Sequence, residues 1–318
     1  MVSLGYKLAS EEHGPSDLAR YARRAEETGF EFAMISDHYH PWTSDQGESP
    51  FVWGTLGAIA ETTDGIEVGT GVTCPTMRVH PVIVAQAAAT AATMLEDRFF
   101  LGVGTGERLN EHVLGDSWPN HRTRLEMLVE AVDVMRALWD GDLQSHDGEH
   151  YTVESAQIFT RPDDPPSIHV AAGGPRTATT AGRIGDGFVG AGPASEHIER
   201  FEEAGGEGKP KYAEMAVCWA EDEAEARRTA HEQWPNAAMP GVGSELPTPA
   251  HFEQTAEMVS EDDVAEAVVC SPDPADHVEE IETYLDAGYD HICVHQIGPD
   301  QVGFFEFYED EILPEFDG

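Results

Sequence analysis

The sequence predicts a (β/α)₈ barrel, the α/β fold in which eight parallel strands alternate with helices around a closed sheet. Eight short apolar runs alternate with amphipathic helical runs, and such a pattern requires a parallel sheet covered by helices. The chain has 318 residues, a length that suits eight such units. A phrase also recurs at two helix-to-strand junctions, ETGFEFAMIS near the start and DAGYDHICVH near the end. An open doubly wound sheet stays as the alternative, because periodicity alone does not show closure.

The first predicted helix follows Ser16, has Leu18, Ala22 and Ala25 on one face, and ends at Gly29, a suitable residue after a helix. Further helices are predicted over 81–95 and 122–142, each with a stripe of apolar residues. The predicted strands are LGYKL (4–8), FEFAMIS (30–36), IEVGTGV (66–72), RFFLGVGTG (98–106), SIHVAAGG (167–174), DGFVGAG (186–192), YAEMAVCWA (212–220) and HICVHQIG (291–298).

One long irregular stretch, 221–265, interrupts the alternation before the last predicted strand. It begins with an acidic helix and continues through PNAAMPGVGSELPTPAH. Connections of this length inside a compact domain are usually functional or disordered. We therefore expect a single barrel domain over 1–318 with 221–265 as an insertion that acts as a lid.

The charge is strongly acidic, with 60 Asp and Glu against 18 Lys and Arg and a formal net charge of −42. Such a charge repels nucleic acid and anionic membranes, so neither is expected as a partner. Because the carboxylates are spread along the predicted helices, we expect a folded protein adapted to high salt. The chain has no long apolar run and no signal-peptide pattern, and its four cysteines are widely spaced, which predicts a soluble cytoplasmic protein.

Polar residues follow the second predicted strand in the sequence SDHYHPW (36–42), where a barrel places its ligands. His38 and His40 form an H-x-H pair that would suit a metal. A metal site also needs ligands after other strands, yet the fifth ends in AAGG and the sixth in GAG, with His169 at the far end of its strand. We therefore predict no metal.

Glycines end the fourth and fifth predicted strands in GVGTGE (102–107) and AAGGP (171–175). The first spacing is not the G-x-G-x-x-G of a nicotinamide-binding Rossmann unit. The glycines are compatible with a flat polycyclic cofactor lying across the barrel mouth, where they would leave room and supply N–H donors. They are also compatible with simple relief of crowding at the strand ends, and the sequence leaves both open.

Acid–base chemistry needs two titratable groups that face each other across a ligand. His38 and Glu107 follow two even-numbered strands at the ligand-binding end of the predicted barrel, and Trp42 would add an apolar wall and an indole N–H. Taken singly, Asp37 could cap a turn, His38 could be a hydrogen-bonded core histidine and Glu107 could favour a helix start.

Five motifs occur in an order and spacing that resemble the luciferase-like flavin and deazaflavin superfamily: SDHYHPW, GTGVTCPTMRVHP, FFLGVGTGERLNE, AAGGP and AGRIGDGF. More narrowly, the chain resembles the branch of coenzyme F420-dependent glucose-6-phosphate and secondary-alcohol dehydrogenases. The resemblance implies a homodimeric barrel that binds F420 in its mouth and transfers a hydride to C5 of F420.

The resemblance also implies roles for individual residues. His38 would be the base that takes the substrate hydroxyl proton, Trp42 would hold the substrate, and Glu107 would donate a proton towards N1 of the deazaflavin. A non-prolyl cis peptide maps to Gly71–Val72. The implied cofactor-binding residues are Asp37, Gly71, Val72, Cys74, Thr105, Gly106, Asn110, Ala171, Gly173, Gly174, Pro175 and Arg176, the last for the anionic tail of F420. Asp37 would either contact the cofactor or orient His38.

Sugar-phosphate members of this branch hold the phosphate with basic residues that this chain lacks in GAGPASEHIE, in SELPTPAHFEQTAEM and near Glu266. A dianion among carboxylates without a cation is disfavoured. We therefore expect an uncharged alcohol or sugar as substrate, and a sugar phosphate only if Arg176, Arg183 or a bound cation holds the phosphate. The alternatives are an FMN-dependent monooxygenase, an F420-dependent reductase of a one-carbon carrier, and a cofactor-binding barrel without catalysis.

Overall fold

The computed structural model describes residues 2–239 and 241–316. Met1, Pro240, Asp317 and Gly318 lie outside the described residues. All four fall within the predicted domain, and Pro240 also falls within the predicted lid. Eight parallel strands close into a barrel in the order β1-β10-β9-β8-β7-β4-β3-β2. The predicted (β/α)₈ barrel is therefore confirmed, and the open-sheet alternative is wrong. The barrel strands are β1 (Ser3–Leu8), β2 (Phe32–Ile35), β3 (Glu67–Thr70), β4 (Phe99–Val103), β7 (Ser167–Ala171), β8 (Gly187–Gly190), β9 (Lys211–Val217) and β10 (His291–Gln296).

Helices cover the outside of the barrel. They are α1 (Pro15–Thr28), α2 (Val52–Thr62), α3 (Pro81–Met94), α4 (Arg108–Glu111), α5 (His121–Trp139), α6 (Pro175–Ile184), α7 (Ser195–Phe201), α8 (Glu223–Gln233), α9 (Pro249–Ala256), α10 (Glu261–Ala265), α11 (Pro274–Asp286), α12 (Gln301–Phe307) and α13 (Leu313–Phe316). As predicted, α1 is followed by Gly29, which has a φ of 110° and whose N–H bonds to the carbonyl of Ala25.

An antiparallel hairpin of β5 (Gln144–Asp147) and β6 (Thr152–Ala156) lies outside the barrel and was not predicted. Its strands are short and polar, so they lack the apolar alternation by which strands are recognised. Glu130 on α5 holds the hairpin, because its carboxylate accepts hydrogen bonds from the backbone N–H groups of His150 and Tyr151 at 3.0 and 2.9 Å.

Large aromatic side chains fill the lower part of the barrel interior. Phe32, Phe100 and Tyr212 form a buried cluster there, and glycines on the neighbouring strands make room for their rings. A Cβ added to Gly5 would lie 2.4 Å from the ring of Phe32, and one added to Gly69 would lie 2.1 Å from the ring of Phe100. The bottom of the barrel is therefore solid.

Side chains two positions further along each strand point the same way and form the next layer. This layer holds Lys7, Met34, Gly71, Glu214 and His295, each two residues beyond a member of the lower interior. The layer lies at the carboxyl ends of the strands, which is where barrels bind their ligands. The fold thus places ionisable side chains directly above an apolar plug.

Candidate active site

A cavity of about 820 Å³ opens at the carboxyl ends of the barrel strands. Seven of the eight barrel strands, or the loops that follow them, line it, together with residues of the 221–265 segment. Its lining residues are Lys7, Glu11, Ser36, His38, Trp42, Gly71, Val72, Cys74, Gly104–Glu107, His121, Arg124, Ala171–Thr177, Val189–Ala191, Glu214, Trp234, Asn236, Gly241 and Ser244.

Thirteen of the fifteen site residues predicted from the sequence line this one cavity. They include the proposed acid–base and substrate residues His38, Trp42 and Glu107. The peptide bond between Gly71 and Val72 is cis, as the resemblance implied. The structure therefore brings together residues that lie more than a hundred positions apart in the chain.

Asp37 and Asn110 do not line the cavity but lie behind its wall. The carboxylate of Asp37 accepts hydrogen bonds from Thr73 Oγ1 at 2.9 Å and from Arg78 at 2.8 Å. Asn110 Oδ1 accepts hydrogen bonds from the backbone N–H groups of Tyr39 and His40 at 2.9 and 3.2 Å. In this structure both residues hold the loop after β2 in place.

The two glycine-rich motifs differ in what surrounds them. A Cβ on Gly104 would lie 2.8 Å from Val72 Cγ2, so the glycine there lets β4 pack closely against the residues after β3. A Cβ on Gly173 or Gly174 would have no neighbouring atom within 4 Å. Crowding therefore accounts for Gly104, whereas the second motif borders open space that a ligand can fill.

His38 lies at the cavity wall with both ring nitrogens close to a partner. Its Nδ1 is 3.1 Å from the carbonyl oxygen of His40, which can only accept, so the proton resides on Nδ1 in this arrangement. Its Nε2 is 3.4 Å from a carboxylate oxygen of Glu11. The ring of Trp42 contacts the His38 ring edge-on, with the centroids 4.7 Å apart.

Glu11 was missed by the sequence analysis although it borders His38. Its carboxylate is buried and accepts a hydrogen bond of 2.6 Å from Ser36 Oγ. Burial works to raise the pKa of Glu11, but the charges of His38 and Lys7 and the Ser36 hydroxyl outweigh it, and the pKa lies below its ordinary value. Glu11 is therefore an anion beside the imidazole. Its place in the polar stretch ASEEHG directly after the first strand was the available signal.

A second buried group of charges, also missed, lies beside this pair. Lys7 forms an ion pair with Glu214, and His295 lies between two carboxylates, 3.0 Å from Glu12 and 3.6 Å from Glu214. Burial opposes the charge on His295, but the hydrogen bond to Glu12 and the nearby carboxylate of Glu214 raise the pKa of His295 to about 9. A lysine inside an apolar strand, in a chain with only two others, was the sequence signal.

Arg78 links Asp37 and Glu111, two acidic residues behind the cavity wall. It donates to Asp37 and also bonds to Glu111, with its backbone N–H 2.8 Å from Glu111 Oε2. Burial raises the pKa of Glu111 to about 7 despite the nearby charge of Arg78. Glu111 in turn packs beneath Gly106, since a Cβ there would lie 2.9 Å from Glu111 Cγ. This buried network fixes the loops after β2, β3 and β4 relative to one another.

One end of the cavity is positively charged. It contains the first turn of α6, where Gly174 precedes Pro175 and Arg176, and the side chains of His121 and Arg124 from α5. Burial and the positive charges of Arg124 and Arg176 lower the pKa of His121. The amino end of a helix and the guanidinium group of Arg176 together favour an anion at this end.

Within residues 2–239 and 241–316, no group of three or more His, Cys, Asp or Glu side chains is arranged to hold a metal ion. The rings of His38 and His40, the H-x-H pair, have different partners. His38 Nδ1 lies 3.1 Å from the carbonyl oxygen of His40, whereas His40 Nδ1 bonds to the carbonyl of Leu109 at 3.0 Å. In the same described part of the chain, no helix is long and apolar enough to cross a bilayer.

A closed (β/α)₈ barrel with a large mouth cavity, a wall of small residues and a His–Glu pair defines a cofactor-binding barrel enzyme. Residues 3–291 match the family model described as luciferase-like monooxygenase. The chain belongs to the luciferase-like monooxygenase family.

Its similar relatives include two curated proteins named F420-dependent glucose-6-phosphate dehydrogenase. The protein of Nakamurella multipartita is 37% identical over 98% of this chain and 96% of its own. That of Beutenbergia cavernae is 38% identical over 99% of this chain and 97% of its own. Among solved structures, an F420-dependent secondary alcohol dehydrogenase in complex with an F420-acetone adduct superposes with a TM-score of 0.91. It is 29% identical, and 98% of each chain is covered.

Proposed function

We propose that this chain is a coenzyme F420-dependent dehydrogenase that oxidises the hydroxyl-bearing carbon of an uncharged alcohol or sugar. The observation that carries the proposal is the His38–Glu11 pair, which faces a cavity with an open small-residue wall and a cationic end. The names of the similar dehydrogenases support F420 as cofactor and a CH–OH group as hydride donor.

The residues present fit F420. The space beside Gly173 and Gly174 accommodates a flat ring system, and Gly71, Val72 and Ala171 complete that wall. The cationic end at Arg176 and the start of α6 suits an anionic tail. When bound, F420 supplies a two-electron acceptor for hydride.

Side chains of the protein accept and donate the protons of the proposed reaction. Because Nδ1 of His38 is occupied by the carbonyl of His40, Nε2 takes the proton of the substrate hydroxyl, and the product is a carbonyl compound. The carboxylate of Glu11 then stabilises the imidazolium that forms. Trp42 walls the substrate, and Glu107, across the rim, is the proton donor on the cofactor side.

Charge pairing inside the cavity favours an uncharged substrate. Lys7 is paired with Glu214, and Arg124 lies 3.5 Å from Glu245, so these two cations are already balanced. The anionic carboxylate of Glu11 also lines the cavity. A phosphate dianion beside it would be repelled.

Residues of the 221–265 segment cover the cavity, and we propose that this segment is its lid. Trp234, Asn236, Gly241 and Ser244 contribute to the cavity wall. The amide of Gln46, in the loop after β2, anchors the segment by donating to the carbonyl of Gln233 at 3.0 Å. An aromatic wall and an amide suit an uncharged hydroxylated ligand.

The proposal is tested by adding oxidised F420 to the purified protein in molar KCl with 2-propanol, glucose or glucose 6-phosphate. We expect loss of the F420 absorbance with an uncharged substrate and little with the phosphate. Preference for glucose 6-phosphate would overturn the proposed substrate class. Turnover only with FMN, NADH and oxygen would overturn the cofactor and the reaction.

We further propose that the protein is a cytoplasmic homodimer adapted to high salt. The net charge of −42 supports the adaptation, the homodimer is what the sequence resemblance implies, and four free cysteines suit a reducing compartment. Light scattering at molar KCl should give the mass of two chains. The melting temperature should rise between dilute buffer and molar KCl, and a flat response would argue against the adaptation.

A further inference from the structure

Lys7 has a position that the proposed chemistry does not use. It lies on β1, its side chain is 5% exposed, and it borders the cavity from the floor. Its ammonium group donates to the carbonyl oxygen of Gly71 at 2.9 Å and forms the ion pair with Glu214. Lys7 therefore joins three strands, β1, β9 and the end of β3, at one point beneath the cavity.

Gly71 is packed directly against this ammonium group. A Cβ at Gly71 would lie 2.4 Å from Met34 Cε and 3.6 Å from Lys7 Nζ, so no side chain separates the backbone from either neighbour. Gly71 and the following Val72 line the cavity. The position of this part of the wall thus depends on what holds the Gly71 carbonyl from below.

The charges around Lys7 keep it a hydrogen-bond donor. Burial opposes its charge, but the carboxylate of Glu214 outweighs burial and raises the pKa of Lys7 above its ordinary value. Burial likewise opposes ionisation of Glu214, and Lys7 and His295 lower the pKa of Glu214 to about 2. Lys7 and His295 as cations balance Glu214 and Glu12 as anions. The four-residue cluster is therefore neutral as a whole, which leaves the carboxylate of Glu11 to stabilise the imidazolium that forms at His38 in the proposed reaction.

We propose that Lys7 is a positioning residue for the cofactor, and this inference rests on the proposed function. Its ammonium group clamps the Gly71 carbonyl and so holds Gly71 and Val72 as the surface on which the deazaflavin ring lies. Glu214 keeps Lys7 charged and in place. Lys7 does not exchange protons with the substrate, because its ammonium group is already committed to Glu214 and Gly71.

The first test removes the clamp while keeping the buried charges balanced. In the double variant Lys7→Met/Glu214→Gln one cation and one anion disappear together. We expect the dissociation constant of F420, measured by titration of its fluorescence, to rise about tenfold or more, the size expected for a hydrogen bond from a charged group. The KM for F420 should rise in parallel while the KM for the alcohol stays unchanged.

One variant serves as the control. Lys209→Met removes a lysine that also donates to backbone carbonyls, those of Gly182 and Gly185 at 3.2 and 2.8 Å, away from the cavity. It should bind F420 within about threefold of the unaltered protein, the range of ordinary small effects. A double variant that folds and binds F420 like this control would overturn the inference.

A second measurement needs no change at Lys7. Because the chain has three lysines, Lys7, Lys209 and Lys211, protein labelled with ¹⁵N at Nζ gives three signals, assigned with Lys209→Met and Lys211→Met. F420 should shift the Lys7 signal and leave the other two unchanged. An unchanged Lys7 signal in protein that binds F420 would overturn this inference and leave the proposed function standing. Protein that does not bind F420 would overturn the proposed function as well.

Discussion

The two sides of the cavity are built from different kinds of residue. On one side β3, β4, β7 and β8 end in glycine, alanine and other small residues, with Gly173 and Gly174 facing open space. On the other side β1, β2, β9 and the 221–265 segment present Lys7, His38 and Glu214 together with tryptophans. The first side offers shape and backbone, and the second offers charge and aromatic surface.

The difference supports the proposal that one barrel mouth binds both a cofactor and a substrate. A flat cofactor needs room and close approach of backbone, which side chains would obstruct. Proton transfer needs a base held by neighbours of opposite charge, which requires side chains from several strands to meet. Changes at the base should therefore affect turnover, whereas changes at the small-residue wall, or at Lys7, which holds part of that wall, should affect cofactor affinity.

The largest effect is expected from His38→Ala. Removing the base should lower kcat by about 10²–10⁴-fold, the usual contribution of general base catalysis, with F420 affinity nearly unchanged. Stopped-flow measurement of F420 reduction checks the rate, and a fluorescence titration checks the affinity. His251→Ala, at an exposed position on α9, is the control. A His38→Ala variant with normal turnover would remove His38 as the base.

On the small-residue side, Gly174→Val should block the cofactor without harming the fold. The backbone at Gly174 is extended, with φ −170° and ψ 161°, which any residue can adopt, and the new side chain would enter open space. We expect the dissociation constant of F420 to rise by more than about tenfold, since overlap typically costs 1–3 kcal/mol. Gly54→Val on α2, where a Cβ also meets no atom within 4 Å, should leave F420 binding unchanged. Unchanged affinity in Gly174→Val would place the cofactor elsewhere.

A smaller effect is expected at the cationic end. Arg176→Gln should weaken F420 binding about fivefold at low salt, because a charge-assisted contact to an anionic tail is lost. The effect should shrink in molar KCl, which screens exposed charges. Arg183→Gln is a matched control, because Arg183 is an exposed arginine in the last turn of the same helix, α6. Equal effects of the two variants would contradict a specific role for Arg176.

The smallest expected effect concerns the lid contact at Glu245. Its carboxylate accepts a hydrogen bond from Trp118 Nε1 at 3.0 Å and lies 3.5 Å from Arg124. Glu245→Gln should raise amide hydrogen exchange in 241–246 by about two- to threefold, as expected for an ion pair whose carboxylate is exposed to solvent. Glu257→Gln, an exposed position after α9, is the control. Equal exchange in both variants would show that this ion pair does not hold the lid.

The candidate site could be predicted from the sequence where its residues directly follow a predicted strand. His38 and Trp42 follow one predicted strand, and Gly173 and Gly174 follow another. Their positions after the strands were enough to predict that they lie at the barrel mouth, and all four line the cavity. The sequence did not predict the contacts of residues that lie behind the cavity wall. Asp37 and Asn110 occupy the expected motifs, yet their side chains bond to protein groups, and only three-dimensional packing shows this.

The sequence by itself determined the alternation of strands and helices and the acidic net charge, while the closure of the barrel came from the structure. Alternating strand and helix patterns depend on local periodicity, and net charge is a simple sum, so neither requires knowledge of distant contacts. The tertiary structure decided the pairing of charges. Lys7 meets Glu214, and Arg124 meets Glu245, across 207 and 121 positions of chain. Glu11 is only 27 positions from His38, yet the two become partners because β1 and β2 are neighbours in the barrel. Ion pairing depends on distance and burial, and only the closed barrel sets both.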